Sequence, residues 1–317
     1  MTINMCGSRI RSPRDAFVHL AFGVSVGFLI GFFFVFDGDN DVYKHILLLN
    51  HENHVEKPSS FDLRCVIMLH KSLSKPDKVI SALNDGYTKL CKETVFFTNN
   101  QVIYDKFQKN HSMVFVNTNA NHYYWSFYQY VMEVSAKVPA QWTFVGDDQT
   151  YLIVPNLQQV LRSFDSEKPV VLGKVKDTSN ILSWIFPFCG NQKLAIRGGA
   201  VFSNSAIDLL SRCKGFFFAR SSEFALYECS DNDKFGVRVV DPFDEDALRL
   251  FNDMPPKQII APDSKIFQSD RSKTGKCSDH AVTFGQMSEK DMRLVEFGMS
   301  LKVFGRGAVE VEKEMSS

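Results

Sequence analysis

Two acidic residues and a glutamine follow a hydrophobic segment in the stretch WTFVGDDQTYLIVPNL, residues 142–157. In an extended strand the side chains alternate between faces, so Asp147 and Gln149 would lie on one side and Asp148 on the other. Mg²⁺ and Mn²⁺ prefer anionic oxygen ligands and could link this pair to a diphosphate. Gln149 supplies only a neutral oxygen, which leaves such a site one charge short. A plain polar turn is the alternative, because Gly and Asp are common turn residues and two adjacent acids are a weak motif.

The segments around this site alternate between strand and helix patterns. Strands are predicted at 63–70, 94–98, 142–145, 169–172, 195–202 and 236–240, and helices at 121–137, 154–164, 205–213 and 222–229. This alternation predicts an α/β fold with a mainly parallel central sheet, whose ligands lie at the carboxyl ends of the strands. Gly198 and Gly199, inside one predicted strand, indicate a bulge or the close approach of another chain or a ligand.

An uncharged apolar segment near the N-terminus, residues 16–36, predicts a membrane anchor. As a helix its roughly 21 residues would cover ~30 Å, the thickness of a bilayer's hydrocarbon core. Arginines precede it and aspartates follow it, so the positive-inside rule predicts a cytoplasmic N-terminus and type II topology. A cleaved signal peptide is the alternative, but the segment exceeds the usual ~7–15 residues and lacks a small-residue cleavage site. The predicted organisation is a tail at 1–15, the anchor at 16–36, a stem at 37–60 and a luminal domain at 61–317.

Cysteine usage and charge narrow the class of protein further. The predicted topology places Cys6 on the cytoplasmic side and six cysteines in the oxidising lumen, where three disulfides can form in fifteen pairings: Cys65, Cys91, Cys189, Cys213, Cys229 and Cys277. Asn110 begins the N-x-[ST] sequence Asn110-His111-Ser112, a possible glycosylation site. The 36 basic and 36 acidic residues balance, so there is no electrostatic reason to expect nucleic-acid binding.

Several segments together resemble the animal core 1 β1,3-galactosyltransferase family. In that family a hydrophobic strand leads into an Asp-Asp-Asp-Thr-Tyr motif, which WTFVGDDQTYLIVPNLQQVL resembles. The likeness extends to RCVIMLH at 64–70, the Tyr124-Trp125 helix, KPVVLG at 168–173, RGGA at 197–200 and KCSDHAVTF at 276–284. It therefore covers most of the predicted luminal domain.

The resemblance implies a type II Golgi or ER membrane protein with a nucleotide-sugar transferase (GT-A-like) fold. Active members of the family transfer galactose from UDP-galactose, with inversion and usually with Mn²⁺, to GalNAc on Ser or Thr. The family also includes the chaperone Cosmc, which lacks the catalytic residues and assists folding of the transferase in the ER. The core 1 galactosyltransferase would then be this chain's client, whereas UDP-galactose and GalNAc-glycoproteins would be the partners of an enzyme.

The family's site residues can be placed on this sequence one by one. The implied metal ligands fall on Asp147, on Gln149 and on the position after AVTF, where active members carry His and this chain has Gly285. The implied base region contains Glu223, which could equally be a solvated helix residue. Candidates for contacts with the nucleotide sugar or the acceptor are Gly198, Gly199 and Trp125. The implied disulfides are Cys65–Cys91 and Cys213–Cys229, which leaves Cys189–Cys277 as a third pair.

The weakened metal site decides the predicted function. Metal-assisted stabilisation of a leaving diphosphate is worth several kcal/mol, and this chain lacks one charge and the histidine. We therefore predict a catalytically weak or inactive partner or chaperone of the core 1 galactosyltransferase, without a cofactor. The alternative is an active inverting β1,3-galactosyltransferase that uses Mn²⁺, and a glycan-binding scaffold is a third possibility. Apolar residues at 181–188 and 216–218 could form the surface that binds a client, or belong to the core.

Overall fold

The computed structural model describes residues 62–120, 123–177, 192–213, 221–231, 236–260 and 277–300. They belong to one compact unit, Leu47–Ser317. The predicted tail, anchor and stem lie outside these residues, as do the apolar segments 181–188 and 216–218. Within the described ranges, no helix combines the length and apolar character needed to cross a membrane.

Strands and helices alternate along most of the described chain. The order is β1 (Leu63–Met68), α1 (Pro76–Asp85), β2 (Glu93–Thr98), α2 (Gln101–Phe107), β3 (Met113–Phe115), α3 (Trp125–Ala136), β4 (Trp142–Asp147), β5 (Tyr151–Leu152), α4 (Val154–Leu161), β6 (Val170–Gly173), β7 (Val175–Asp177), β8 (Gln192–Leu194), β9 (Ala200–Ser203), α5 (Asn204–Ser211), α6 (Ser222–Asp231), β10 (Arg238–Val240), β11 (Phe251–Asn252), α7 (Pro256–Ile260), β12 (Thr283–Phe284) and α8 (Glu289–Ser300). Short 3₁₀ turns lie at Tyr87–Leu90 and Ile196–Gly198.

A seven-stranded sheet in the order β10-β6-β9-β4-β1-β2-β3 forms the centre of the unit. Neighbouring strands are parallel except around β9, which is antiparallel to both β4 and β6. A second sheet, β11-β12-β5, packs strands from the C-terminal part of the chain beside the segment that follows β4. This mixed α/β arrangement with a mainly parallel central sheet fits the predicted GT-A-like fold.

The core lies on both faces of the central sheet, as the continuous apolar run of β1 predicts. Leu63, Cys65 and Ile67 pack on the face covered by α1, α4 and α8, whereas Val66 and Met68 pack on the face covered by α3, α5 and α6. Every residue of β1 is buried. The central strands are therefore held on both sides, and their carboxyl ends form a fixed edge.

The predicted strand at 195–202 is wrong in its first half. The chain there makes the 3₁₀ turn Ile196–Gly198, and β9 begins only at Ala200. The cause is Gly199, whose φ of +69° places it in the left-handed region that interrupts an extended strand.

Two disulfides join elements of this fold. Cys65 of β1 is bonded to Cys91, and Cys213 after α5 is bonded to Cys229 of α6, as the family resemblance implies. Cys277 is a free thiol in this structure, and burial raises its pKa to about 11. Because Cys189 lies outside the described residues, its pairing with Cys277 remains a prediction.

Candidate active site

The candidate site lies where two central strands end side by side. β1 and β4 are parallel neighbours, and their last paired residues are Met68 and Asp147. From β1 the chain continues outward to β2 and β3, whereas β4 lies on the other side of β1. Ligands of open α/β sheets bind at the carboxyl ends of strands at such a reversal of strand order. His70 follows β1 and Asp148 follows β4, so both flank this crevice.

Asp148 is bonded to His70 rather than directed toward solvent. Its Oδ2 accepts a hydrogen bond from the backbone N–H of His70 at 3.2 Å, and its Oδ1 contacts Nδ1 of the same ring. The backbone N–H of Asp148 donates to the Met68 carbonyl at 3.1 Å, which joins the two strand ends. Burial disfavours the charged ring, but the hydrogen bond and the charge of Asp148 outweigh it and raise the pKa of His70 above 6.5.

Asp147 is bonded within its own turn. Its Oδ1 accepts from the Thr150 hydroxyl at 2.7 Å and from the Gln149 N–H at 3.0 Å. The strand ends at Asp147 and a turn follows, so the alternation of side chains stops there. Asp147 is consequently buried and Gln149 exposed, and our expectation that the two share a strand face is wrong.

The structure gathers a different set of donors from the one that the sequence suggested. The ligand atoms of His70, Asp147 and Asp148 all lie within 4.8 Å of one another. His70 was missed, although it ends the predicted strand 63–70. The signal was available, because the carboxyl ends of neighbouring parallel strands meet at one edge of a sheet.

Position 285, which carries the third metal ligand in the family resemblance, has no room for a side chain. Gly285 follows β12 and donates its N–H to the Asn252 carbonyl at 2.8 Å. A Cβ at this position would lie 2.1 Å from the Arg197 carbonyl oxygen and 2.9 Å from the carbonyl carbon of Asp253. The residues present therefore do not fit the Mn²⁺ ligand set that the resemblance implies, since Gln149 is exposed and position 285 is closed.

A largely buried ion cluster lies beside the turn that contains Gly285. The Asp253 carboxylate pairs with the ammonium groups of Lys174, at 2.9 Å, and Lys176. Burial works against ionisation of Asp253, but the two lysines outweigh it and lower its pKa to about 2. The Asp253 carbonyl accepts from the Gln286 side chain at 2.9 Å. The sequence offered no signal for this cluster, because it joins Lys174, between β6 and β7, and Lys176 of β7 to the segment after β11.

The candidate base Glu223 lies in the first turn of α6 and is already paired. Its Oε2 is 2.7 Å from Nζ of Lys193 on β8, and only 17% of the Glu223 side chain is exposed. The backbone of this region is tied to the site, because the Ser222 N–H donates to the Tyr123 carbonyl at 2.7 Å. Tyr123 in turn places its hydroxyl 3.2 Å from Nε2 of His70.

Gly198 and Gly199 are approached closely by the chain itself. A Cβ on Gly199 would lie 2.6 Å from the Phe144 ring, and one on Gly198 would lie 3.2 Å from the Asn252 carbonyl oxygen. These contacts account for both glycines without a ligand.

The two remaining predicted residues lie on separate elements. Trp125 begins α3, is 7% exposed and stacks on Tyr128 with ring centroids 6.3 Å apart. Asn110 lies after α2 and is exposed, so a glycan could be attached there without disturbing the core.

The comparisons with known proteins identify a glycosyltransferase-like domain. Residues 76–186, about a third of the chain, match the family model Fringe, described as Fringe-like, a family of β1,3-glycosyltransferases. This segment includes β4 and the Asp147-Asp148 pair. The match supports a β1,3-glycosyltransferase-like function for this chain.

Two solved structures share a weak similarity. CMP:2-keto-3-deoxy-manno-octonic acid synthetase complexed with CTP is 13% identical, with a TM-score of 0.35 over 58% of this chain and 89% of that chain. Bifunctional IspDF from Campylobacter jejuni is 10% identical, with a TM-score of 0.34 over 60% and 52% of the two chains. At these scores neither similarity supports an argument about fold or ligand.

Proposed function

We propose that this chain is a luminal, catalytically weak or inactive galactosyltransferase-like partner of the core 1 galactosyltransferase in mucin-type O-glycan synthesis. The Fringe-like match and the GT-A-like sheet support the transferase origin. The segment 16–36 would anchor the chain in the ER or Golgi membrane with type II topology. The core 1 galactosyltransferase would be the client that the chain helps to fold.

The observation that carries this proposal is the closed position 285. In the resemblance that position supplies a histidine to the metal, and here the Arg197 carbonyl would collide with any Cβ. A metal that stabilises a leaving diphosphate contributes several kcal/mol to the transition state. A chain without that ligand would transfer galactose slowly or not at all.

The ion pair of Glu223 with Lys193 also supports low transferase activity. A general base needs an oxygen that is free to approach the proton it takes, and an ion pair occupies such an oxygen. The Lys193 ammonium occupies the Oε2 atom of Glu223 in a partly buried ion pair. The candidate base would therefore have to leave Lys193 before it could take a proton from a sugar hydroxyl.

The test is co-expression of the full-length chain with the core 1 galactosyltransferase, followed by galactose transfer to a GalNAc-peptide in the lysate. We expect client activity to rise with the wild-type chain and equally with Glu223→Gln, since the proposed role does not need the base. Gly285→Trp, which cannot fit beside the Arg197 carbonyl, serves as a misfolded control and should give no increase. Client activity that is unchanged by the folded chain would refute the proposed role.

An active enzyme is the second candidate, and one observation favours it. His70, Asp147 and Asp148 bring an imidazole and two carboxylates together, which could hold a divalent ion with a ligand set unlike the one that the resemblance implies. Under this alternative the purified chain alone would transfer galactose with Mn²⁺, and both Asp147→Ala and His70→Ala would abolish turnover.

A further inference from the structure

The charged groups of the crevice differ in their exposure. Asp147 and Asp148 are 1% and 2% exposed, whereas the side chain of Arg197 is exposed. Among the described residues Arg197 has no carboxylate partner. Of these three charged side chains, that of Arg197 is therefore the most exposed to solvent.

Arg197 is fixed beside the strand ends by its backbone and its side chain. Its carbonyl accepts a hydrogen bond from the Thr150 hydroxyl at 3.2 Å, and the same hydroxyl donates to Asp147. Its guanidinium carbon lies 5.1 Å from the centroid of the Tyr123 ring. Because the Tyr123 hydroxyl contacts His70, the guanidinium belongs to the same group of side chains as the two aspartates.

A guanidinium can supply the interaction that a divalent cation would otherwise supply. Arginine keeps its charge at all physiological pH values and presents a planar fork of N–H donors that matches two phosphate oxygens. The aspartates need no additional cation for their hydrogen bonding, since His70, Thr150 and the backbone already donate to them. An anion at the mouth of the crevice would be bound by the exposed cation.

We propose that Arg197 is the anion-binding residue of this crevice and that it holds the diphosphate of a nucleoside diphosphate without a divalent ion. Its contact with Tyr123, which in turn contacts His70, places the guanidinium near the carboxyl ends of β1 and β4. Strand order reverses there, and ligands of open α/β sheets bind at such a reversal. This inference rests on the transferase-like cleft of the proposed function. It adds to that function the residue that would hold the diphosphate in place of a metal ion.

The test is calorimetric titration of the full-length chain, purified in detergent, with UDP in the presence of EDTA or of Mn²⁺. We expect the same affinity in both conditions. Arg197→Gln should weaken binding by roughly tenfold or more, the usual effect of losing a charge-assisted hydrogen bond to phosphate. Arg197→Lys keeps the charge but loses the planar fork of N–H donors, so its UDP affinity should lie between those of the wild type and of Arg197→Gln.

Arg212→Gln is the matched control, because Arg212 is also exposed but pairs with Asp208 on α5. It should leave UDP affinity unchanged, and the melting temperatures of all variants should show that each is folded. Absence of UDP binding in the folded wild-type chain would overturn this inference and leave the chaperone role intact, since that role is read from client activity. Binding that requires Mn²⁺, or that survives Arg197→Gln, would also overturn it.

Discussion

The carboxyl end of β4 and the turn after β12 meet at the same backbone carbonyl, that of Arg197, and differ in what they retain. On the β4 side Thr150 donates to this carbonyl while also binding the buried Asp147. On the β12 side Gly285 leaves no space between itself and the carbonyl. The β4 side thus carries buried acidic side chains, whereas on the β12 side the backbone leaves no room for a side chain.

Under the proposed function, this difference would explain how the acidic motif can remain in a chain that no longer binds a metal ion. Asp147 and Asp148 are held by hydrogen bonds inside the fold, so they would be retained for stability even if no cation bound. Gly285 can be retained for packing alone. Substitutions at Asp147 therefore test hydrogen bonds, whereas substitutions at Gly285 test close packing. The free energy of unfolding of each variant measures both effects.

The largest effect is expected at the closed position. Gly285→His restores the residue type found in active members, yet its Cβ would collide with backbone atoms, and we expect a loss of about 3 kcal/mol or more in the free energy of unfolding. Chemical denaturation measures this loss. Gly236→Ala is the control, since it has open space but a φ of +59°, and should lose only about 1 kcal/mol. A stable Gly285→His variant that gains Mn²⁺ binding would show that the turn can open.

The next effect is expected at Asp147. Asp147→Ala removes the hydrogen bonds from the Gln149 N–H and the Thr150 hydroxyl, and leaves that hydroxyl only its longer contact with the Arg197 carbonyl. We expect a loss of about 2 kcal/mol in the free energy of unfolding. Asp147→Asn keeps an acceptor oxygen and should lose less. If Asp147→Ala were instead more stable than the wild type, the carboxylate would be a residue kept for a ligand at the expense of the fold.

A smaller, pH-dependent effect is expected at His70, because its ring is partly exposed and screened by solvent. The pKa of His70 is raised in the folded state, so the stability that it contributes is fully present below its ordinary value of 6.5 and is lost as the pH rises through the raised value. Melting temperatures of the wild type and of His70→Gln, taken from about pH 5.5 to about 9, should converge at the alkaline end. Curves that stay parallel throughout would exclude this linkage.

The smallest effect is expected at Gln149. Gln149→Asp restores the third acid of the family motif at an exposed position, so stability should change by less than about 0.5 kcal/mol. Galactose transfer with Mn²⁺ should remain absent, because position 285 is still closed. Turnover gained by this single change would mean that the missing charge, and not the closed turn, limits the chain.

Local sequence patterns were sufficient for the main elements of the fold. β1 and β4 are wholly buried, and such strands are readily predicted because they appear as continuous apolar runs. The boundary before β9 was missed because it depends on the backbone conformation of Gly199. The Phe144 ring, which is distant in sequence, packs so closely against this glycine that a Cβ would lie 2.6 Å from it.

The candidate site was predictable only in part. The residue types at 147–149 suggested a metal site, but the turn that separates Asp147 from Gln149 could not be read from strand alternation. The resemblance marked Gly285 as a missing ligand, while the reason that it cannot be replaced lies in the distant Arg197 carbonyl. Arg197 itself was noted only as part of RGGA, since its exposure beside His70 and Asp147 arises from tertiary packing.

Galactose transfer by the purified full-length chain is the measurement that tests the central claim most directly. UDP-galactose, a GalNAc-peptide and Mn²⁺ are supplied, and the wild type is compared with Asp147→Ala and with an EDTA control. A closed position 285 predicts no Mn²⁺-dependent transfer by either protein. Mn²⁺-dependent transfer by the wild type that is lost in Asp147→Ala would contradict the inactive-partner account and establish a working metal site at the carboxyl end of β4.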